Sequence, residues 1–166
     1  MSRLAILSIK PEYAHRILNR TKDIELRRTQ MGINSGDVLL IYTSAPEQCI
    51  SGWFRVSKVE TLPVDKMWKK YHARLGIGHE EYLKYFEGVE EAIGLHISEV
   101  QCLEPVIPLN DIQILVDGFF PPQGTIGIKS EFGRYGKLLE KIKPKLPDDI
   151  LPQLSLFKEK RVANRL

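Results

Sequence analysis

Leu4 to Ile9 is an apolar run with β-branched members that ends at Lys10-Pro11, a pattern that predicts a buried first strand. Proline suits the first turn of a helix, and Tyr13, Ala14, Ile17 and Leu18 then share one helical face over residues 11–20. That face is expected to pack on a sheet. The period next changes from helical to two. Ile24 and Leu26 alternate with Glu25 and Arg27, which predicts a short strand with its apolar side chains toward a core and its charged ones on the outer face. Met31 to Asp37 has the Gly/Asn/Ser/Asp chemistry of a loop, and Val38 to Thr43 is apolar enough for a central strand. Beyond a turn at residues 44–48, Ile50, Gly52, Phe54, Val56 and Val59 alternate imperfectly as far as about Leu62. A long strand with a bulge follows from that pattern.

Met67, Trp68, Tyr71 and Leu75 recur at helical spacing from Val64 until Gly76-Ile77-Gly78 stops them. A second short helix runs from His79 to Gly88, and residues 92–100 read as a returning strand, with Pro105 and Pro108 marking an edge. Phe119 to Gly124 pairs aromatics with rigid prolines, as a hydrophobic plug would. Tyr135, Leu138, Leu139 and Ile142 predict a further helix over 132–142, residues 147–156 add an apolar patch, and the end from Lys158 is expected to fray. The order of elements points to an α+β fold, a small curled sheet or β-barrel with helices on its flank.

The chain has 166 residues, 43% hydrophobic and 27% charged, enough for one good core plus an extension and too few for two typical domains. Its longest apolar run, Val38 to Tyr42, is too short to span a bilayer, and the N-terminus lacks a signal-like apolar region. A cytoplasmic protein without membrane association is expected. Cys49 and Cys102 are too few and too far apart for a paired-cysteine metal site, so two buried free thiols are expected, with no metal and no cofactor. The net charge of +3 is unevenly spread: residues 10–28 carry an excess of three positive charges, residues 79–117 an excess of eight negative ones, and 141–166 an excess of four positive ones. Such a chain either binds a polyanion on one side or pairs its own segments across the fold.

The densest chemistry lies in Lys22, Glu25, Arg27 and Arg28. A carboxylate beside an amine and guanidinium groups can fix a phosphate or a base edge, or do acid–base work. Spacing alone is equally compatible with a solvated, salt-bridged strand face. His15, His72, His79 and His96 stand in no ligand or triad spacing and read as surface or packing residues.

Leu7-Ser8-Ile9-Lys10-Pro11-Glu12-Tyr13-Ala14, the Lys22-x-x-Glu25-x-Arg27 run, Gly36 to Tyr42 and Phe120-Pro121-Pro122-Gln123 together resemble the ASCH family of PUA-like proteins. The resemblance covers about residues 3–107 and keeps three of the four positions of the signature G-x-K-x-x-E-x-R, with Arg20 where glycine is usual. It implies a PUA-like small β-barrel over residues 1–107, and a C-terminal helical extension over 108–166 packed on the barrel. It also implies a cleft beside the signature strand for RNA or a modified nucleoside or nucleotide. Lys10, Lys22, Arg27 and Arg28 would then lie near phosphate, Tyr42, Trp53 and Phe120 would offer stacking faces, and Glu25 and Gln123 would complete the ligand set.

Three activities fit that cleft. The first is a nucleic-acid binding module. The second is a hydrolase with Lys22 and Glu25 as its catalytic pair, either a ribonuclease or an N4-acetylcytidine amidohydrolase. The amidohydrolase subgroup uses the signature lysine, a threonine three residues later and a distant glutamate. Glu25 stands at the threonine position, and a carboxylate does not replace a hydroxyl nucleophile, although Thr21 and Thr43 supply hydroxyls nearby. The third is a ligand-sensing transcriptional regulator, for which residues 131–166 offer no helix-turn-helix pattern.

Overall fold

The structure, a computed structural model, describes residues 2–129 and 133–155. Six strands, β1 (Leu4–Ile9), β2 (Ile24–Arg27), β3 (Val38–Thr43), β4 (Cys49–Pro63), β5 (Glu91–Pro108) and β6 (Thr125–Ile128), form one sheet in the order β2-β5-β4-β3-β1-β6. The helices are α1 (Pro11–Leu18), α2 (Val64–Tyr71), α3 (His79–Tyr85), α4 (Leu109–Leu115), α5 (Gly136–Ile142) and α6 (Leu151–Ser155). β1 and β3 are parallel, and every other neighbouring pair is antiparallel.

All six residues of β3 are buried because both faces of the sheet are covered there. Leu39 and Ile41 pack with Ala14 and Ile17 of α1. Val38, Leu40 and Tyr42 pack on the opposite face with Ile112 of α4 and Leu138, Leu139 and Ile142 of α5. A third cluster joins Ile24 and Leu26 of β2 to Met67, Leu75, Tyr82 and Phe86, so the insertion between β4 and β5 covers the apolar face of β2. The expected bulge is present: the pairing of β4 shifts register around Gly52. A side chain at that position would collide with the backbone of Gln101 and with Leu18.

Several expectations are corrected. The sheet does not close into a barrel, since β2 and β6 are its two edges. β6 is only four residues long and pairs with Leu4 to Leu7 of β1, leaving the end of β1 unpaired on that side. There the gap is crossed by a side chain, with Arg27 Nη2 donating to the Ser8 carbonyl at 2.9 Å. β5 does not end near Val100 but continues to Pro108, where it pairs with Cys49. α4 and β6 have no counterpart in the hydrophobic pattern. Cys49 is buried as expected, but Cys102 is exposed, and both thiols are free.

The C-terminal segment completes the core. Trp53 Nε1 donates to the Lys145 carbonyl at 2.7 Å, Arg55 holds Asp149 at 2.7 Å, and Leu146, Ile150 and Leu154 join the cluster under β3. The tail from Lys158 and the start of the helix expected from Phe132 lie outside the described residues. Among the described residues, no helix is long and apolar enough to cross a membrane, and no group of three or more His, Cys, Asp or Glu is arranged to hold a metal ion.

Candidate functional site

β2 forms the floor of a cleft of about 530 Å³. One wall is the end of β1 and the start of α1, and the other is the loop before α3 and α3 itself. Lys22 enters from the turn ahead of β2 and is only 2% exposed. Its ammonium donates to the Leu75 carbonyl at 2.6 Å, lies 3.5 Å from Glu25 Oε2, and sits 5.3 Å from the centre of the Tyr13 ring. Gly76 makes this approach possible. It adopts φ +58°, and an added Cβ would stand 2.6 Å from Lys22 Cβ. Arg16 Nη1 holds the same loop by donating to the Gly76 carbonyl at 2.7 Å.

Glu25, at 5% exposure, is not on a solvated face as the strand pattern predicts. Its second oxygen pairs with Arg27 Nη2 at 2.9 Å, so one carboxylate is shared between two cations in a poorly solvated place. Burial pulls the proton affinity of Lys22 below that of an ordinary amine, with the Glu25 charge opposing the shift. Burial also pushes the Tyr13 phenol up to about 12, helped by Glu12 and Glu81. Tyr85 shifts upward for the same first reason and donates to the Leu26 carbonyl at 3.2 Å. Ser8 Oγ and Arg27 Nε are buried without a hydrogen-bond partner, although both residues line the cleft.

The cleft thus brings together Lys10, Lys22, Glu25, Arg27 and Arg28. It does not include the other sequence-derived candidates. Tyr42, 1% exposed, tilts against Phe119 beneath the C-terminal segment, and Trp53, 5% exposed, is tied to Lys145. Burial this deep leaves neither ring a face for a base. Phe120, 76% exposed, and Gln123 are at the surface outside the cleft. Thr43 is buried against Ser51 at 2.7 Å, and Thr21 bonds Asn19 at 2.6 Å; neither hydroxyl lines the cleft. Tyr13, Tyr85, Ser8, Glu81 and Lys84 are among the lining residues that the sequence pattern does not mark as a site. Tyr13 was assigned to a core face by helical spacing, and the other four carry no local pattern that marks a cleft.

A second cavity, of about 520 Å³, lies between β6, the loop before β3 and α6, and its lining is mostly apolar. Its buried carboxylate, Asp37, is committed to the Arg3 and Asn34 backbone amides and the Arg3 guanidinium. The charged cleft on β2 is therefore the functional candidate.

The six-stranded sheet with its flanking helices has the ASCH-type, PUA-like fold. The chain belongs to the family described as Domain of unknown function (DUF365), whose model matches residues 5–127. It is 26% identical over 127 residues to an ASCH domain-containing ribonuclease of Zymomonas mobilis, covering 76% of this chain and 85% of that protein. The crystal structure of ASCH from Zymomonas mobilis superposes with a TM-score of 0.77 at 25% identity, covering 83% of this chain and 94% of that one.

Proposed function

We propose that this protein binds RNA or a modified nucleotide in the cleft on β2, with Lys10, Arg27 and Arg28 toward phosphate and Lys22 and Glu25 at the floor. The observation that carries the reading is the Lys22–Glu25–Arg27 network, held nearly free of solvent yet lining a cavity of nucleotide size. Sinking three charged side chains into a wall is costly for stability alone, and a polar ligand gives them a use. The ribonuclease name of the Zymomonas mobilis relative supports RNA as the partner. Lys22→Ala and Arg27→Ala are expected to weaken RNA affinity about tenfold or more, as loss of a charged hydrogen bond does. Affinity should also fall steeply with salt. Fluorescence anisotropy with labelled oligonucleotides measures both, and unchanged affinity in the two variants would sink the reading.

A hydrolase is the second reading, favoured by the lowered proton affinity of Lys22, which makes its ammonium a readier proton donor than that of an ordinary lysine. Glu25 has both oxygens engaged by cations, which fits a positioning counter-ion better than a free base. Mass spectrometry of an RNA and modified-nucleoside panel after incubation separates the readings: turnover by the wild type supports the hydrolase. Turnover that survives Glu25→Gln excludes Glu25 as the base.

A further inference from the structure

Carboxylates and cations both line the cleft. At one end, α3 begins beside Lys22: Leu75 and Gly76, just ahead of the helix, accept hydrogen bonds from Lys22 and Arg16. Glu81 in the first turn of α3 and Glu12 in the first turn of α1 line the cleft near this end. Both carboxylates bear on the Tyr13 phenol and help to raise its proton affinity. At the other end, α3 finishes beside Arg28, whose Nη2 donates to the Glu87 carbonyl at 2.9 Å, and Tyr85 reaches the Leu26 carbonyl. Lys84, the residue before Tyr85, and Lys10 also line the cleft, and Arg27 Nη2 meets both the Ser8 carbonyl and Glu25. Glu81 and Tyr85 are one turn apart, about 6 Å along the helix axis. Among the described residues, the side chains of Glu81, Lys84 and Lys10 have no hydrogen-bond or ion-pair partner, so their charges are available to a ligand.

We infer that the ligand lies in one orientation, with a phosphate between Lys10, Arg28 and Lys84 and its base toward Tyr13, where Glu81 selects bases that carry an exocyclic amino group. The inference rests on the nucleotide reading above. A carboxylate only accepts hydrogen bonds, so it favours the amino groups of adenine, cytosine and guanine and opposes uracil, which has carbonyl oxygens and no amino group. Lys84 acts on the phosphate and so is indifferent to the base.

The test is anisotropy of end-labelled oligo-A, oligo-C and oligo-U over a salt series, with strand integrity checked afterwards. The wild type is expected to prefer oligo-A and oligo-C over oligo-U by about tenfold, within the range of one good base contact. Glu81→Gln should erase most of that preference. Lys84→Ala should weaken all three alike and reduce the slope of log affinity against log salt by about 0.7. Both side chains are exposed, and an unchanged thermal midpoint shows that folding is intact. Equal binding of oligo-U by the wild type, a preference that persists in Glu81→Gln, or an unchanged salt slope in Lys84→Ala overturns the inference. Failure of the wild type to bind any oligonucleotide overturns the nucleotide reading itself.

Discussion

Glu25 is the residue on which the cleft depends, because its carboxylate neutralises two cations that have little water around them. Removing one member of a buried ion network leaves the others uncompensated, which costs about 3–5 kcal/mol. Glu25→Gln is therefore expected to lower stability by about that amount, read as a shift of the urea midpoint. Gly76 is the second sensitive position. Gly76→Ala meets both an unfavourable φ and a collision with Lys22 Cβ. The backbone cost alone is about 1–2 kcal/mol. The collision should displace the ammonium from the Leu75 carbonyl, so ligand affinity should fall together with the urea midpoint. Loss of stability with full affinity would show that Gly76 does not position Lys22.

At the scale of elements, the insertion between β4 and β5 and the segment after β6 have opposite tasks. The insertion, with α2 and α3, covers the apolar face of β2 and supplies one wall of the cleft. The described residues of the later segment cover the far face of β3 and do not line the cleft. Its attachment includes the indole hydrogen bond from Trp53 to Lys145. Trp53→Phe should cost about 1 kcal/mol for that bond, measured by urea unfolding. Ligand affinity should be unchanged, which separates this ring from the tyrosines of the cleft. A shift in affinity would mean that the two faces of the sheet are coupled.

For the whole molecule, the pH dependence of stability centres on Glu60, away from the cleft. Glu60 accepts from Tyr71 at 2.6 Å and pairs with Lys58, Lys70 and His96, so β4, β5 and α2 meet at one carboxylate. The Tyr71 hydroxyl, then the lysines, bring its proton affinity from 4.5 down to about 2 against the opposing effect of burial. Burial lowers that of His96 below 6.5, with Glu60 opposing. Both groups hold fewer protons folded than unfolded, so both make stability fall as the medium is acidified. The loss begins below about pH 6.5 through His96, and the Glu60 contribution, complete above 4.5, disappears between 4.5 and about 2. Urea midpoints across this range should show both stretches, and Glu60→Gln should flatten the lower one.

Much of the molecule is determined by local sequence. The apolar run of β1, the α1 stripe, the Gly-bounded helices of the insertion and the irregular period of β4 were legible because each element buries one face of its own. The ionic floor was legible too, since Lys22, Glu25 and Arg27 are near neighbours in the chain. Only the tertiary structure decided the rest. β6 and the second half of β5 lack a period of their own and exist through their pairing with β1 and β4. The open sheet is a property of which edges find partners. Burial of Glu25 required α1 and α3 to close over a strand whose alternation predicts a solvated face. Tyr42 and Trp53 were sent to the core, and Tyr13 and Tyr85 to the cleft, by packing between elements far apart in sequence, and no periodicity within one element encodes that distance.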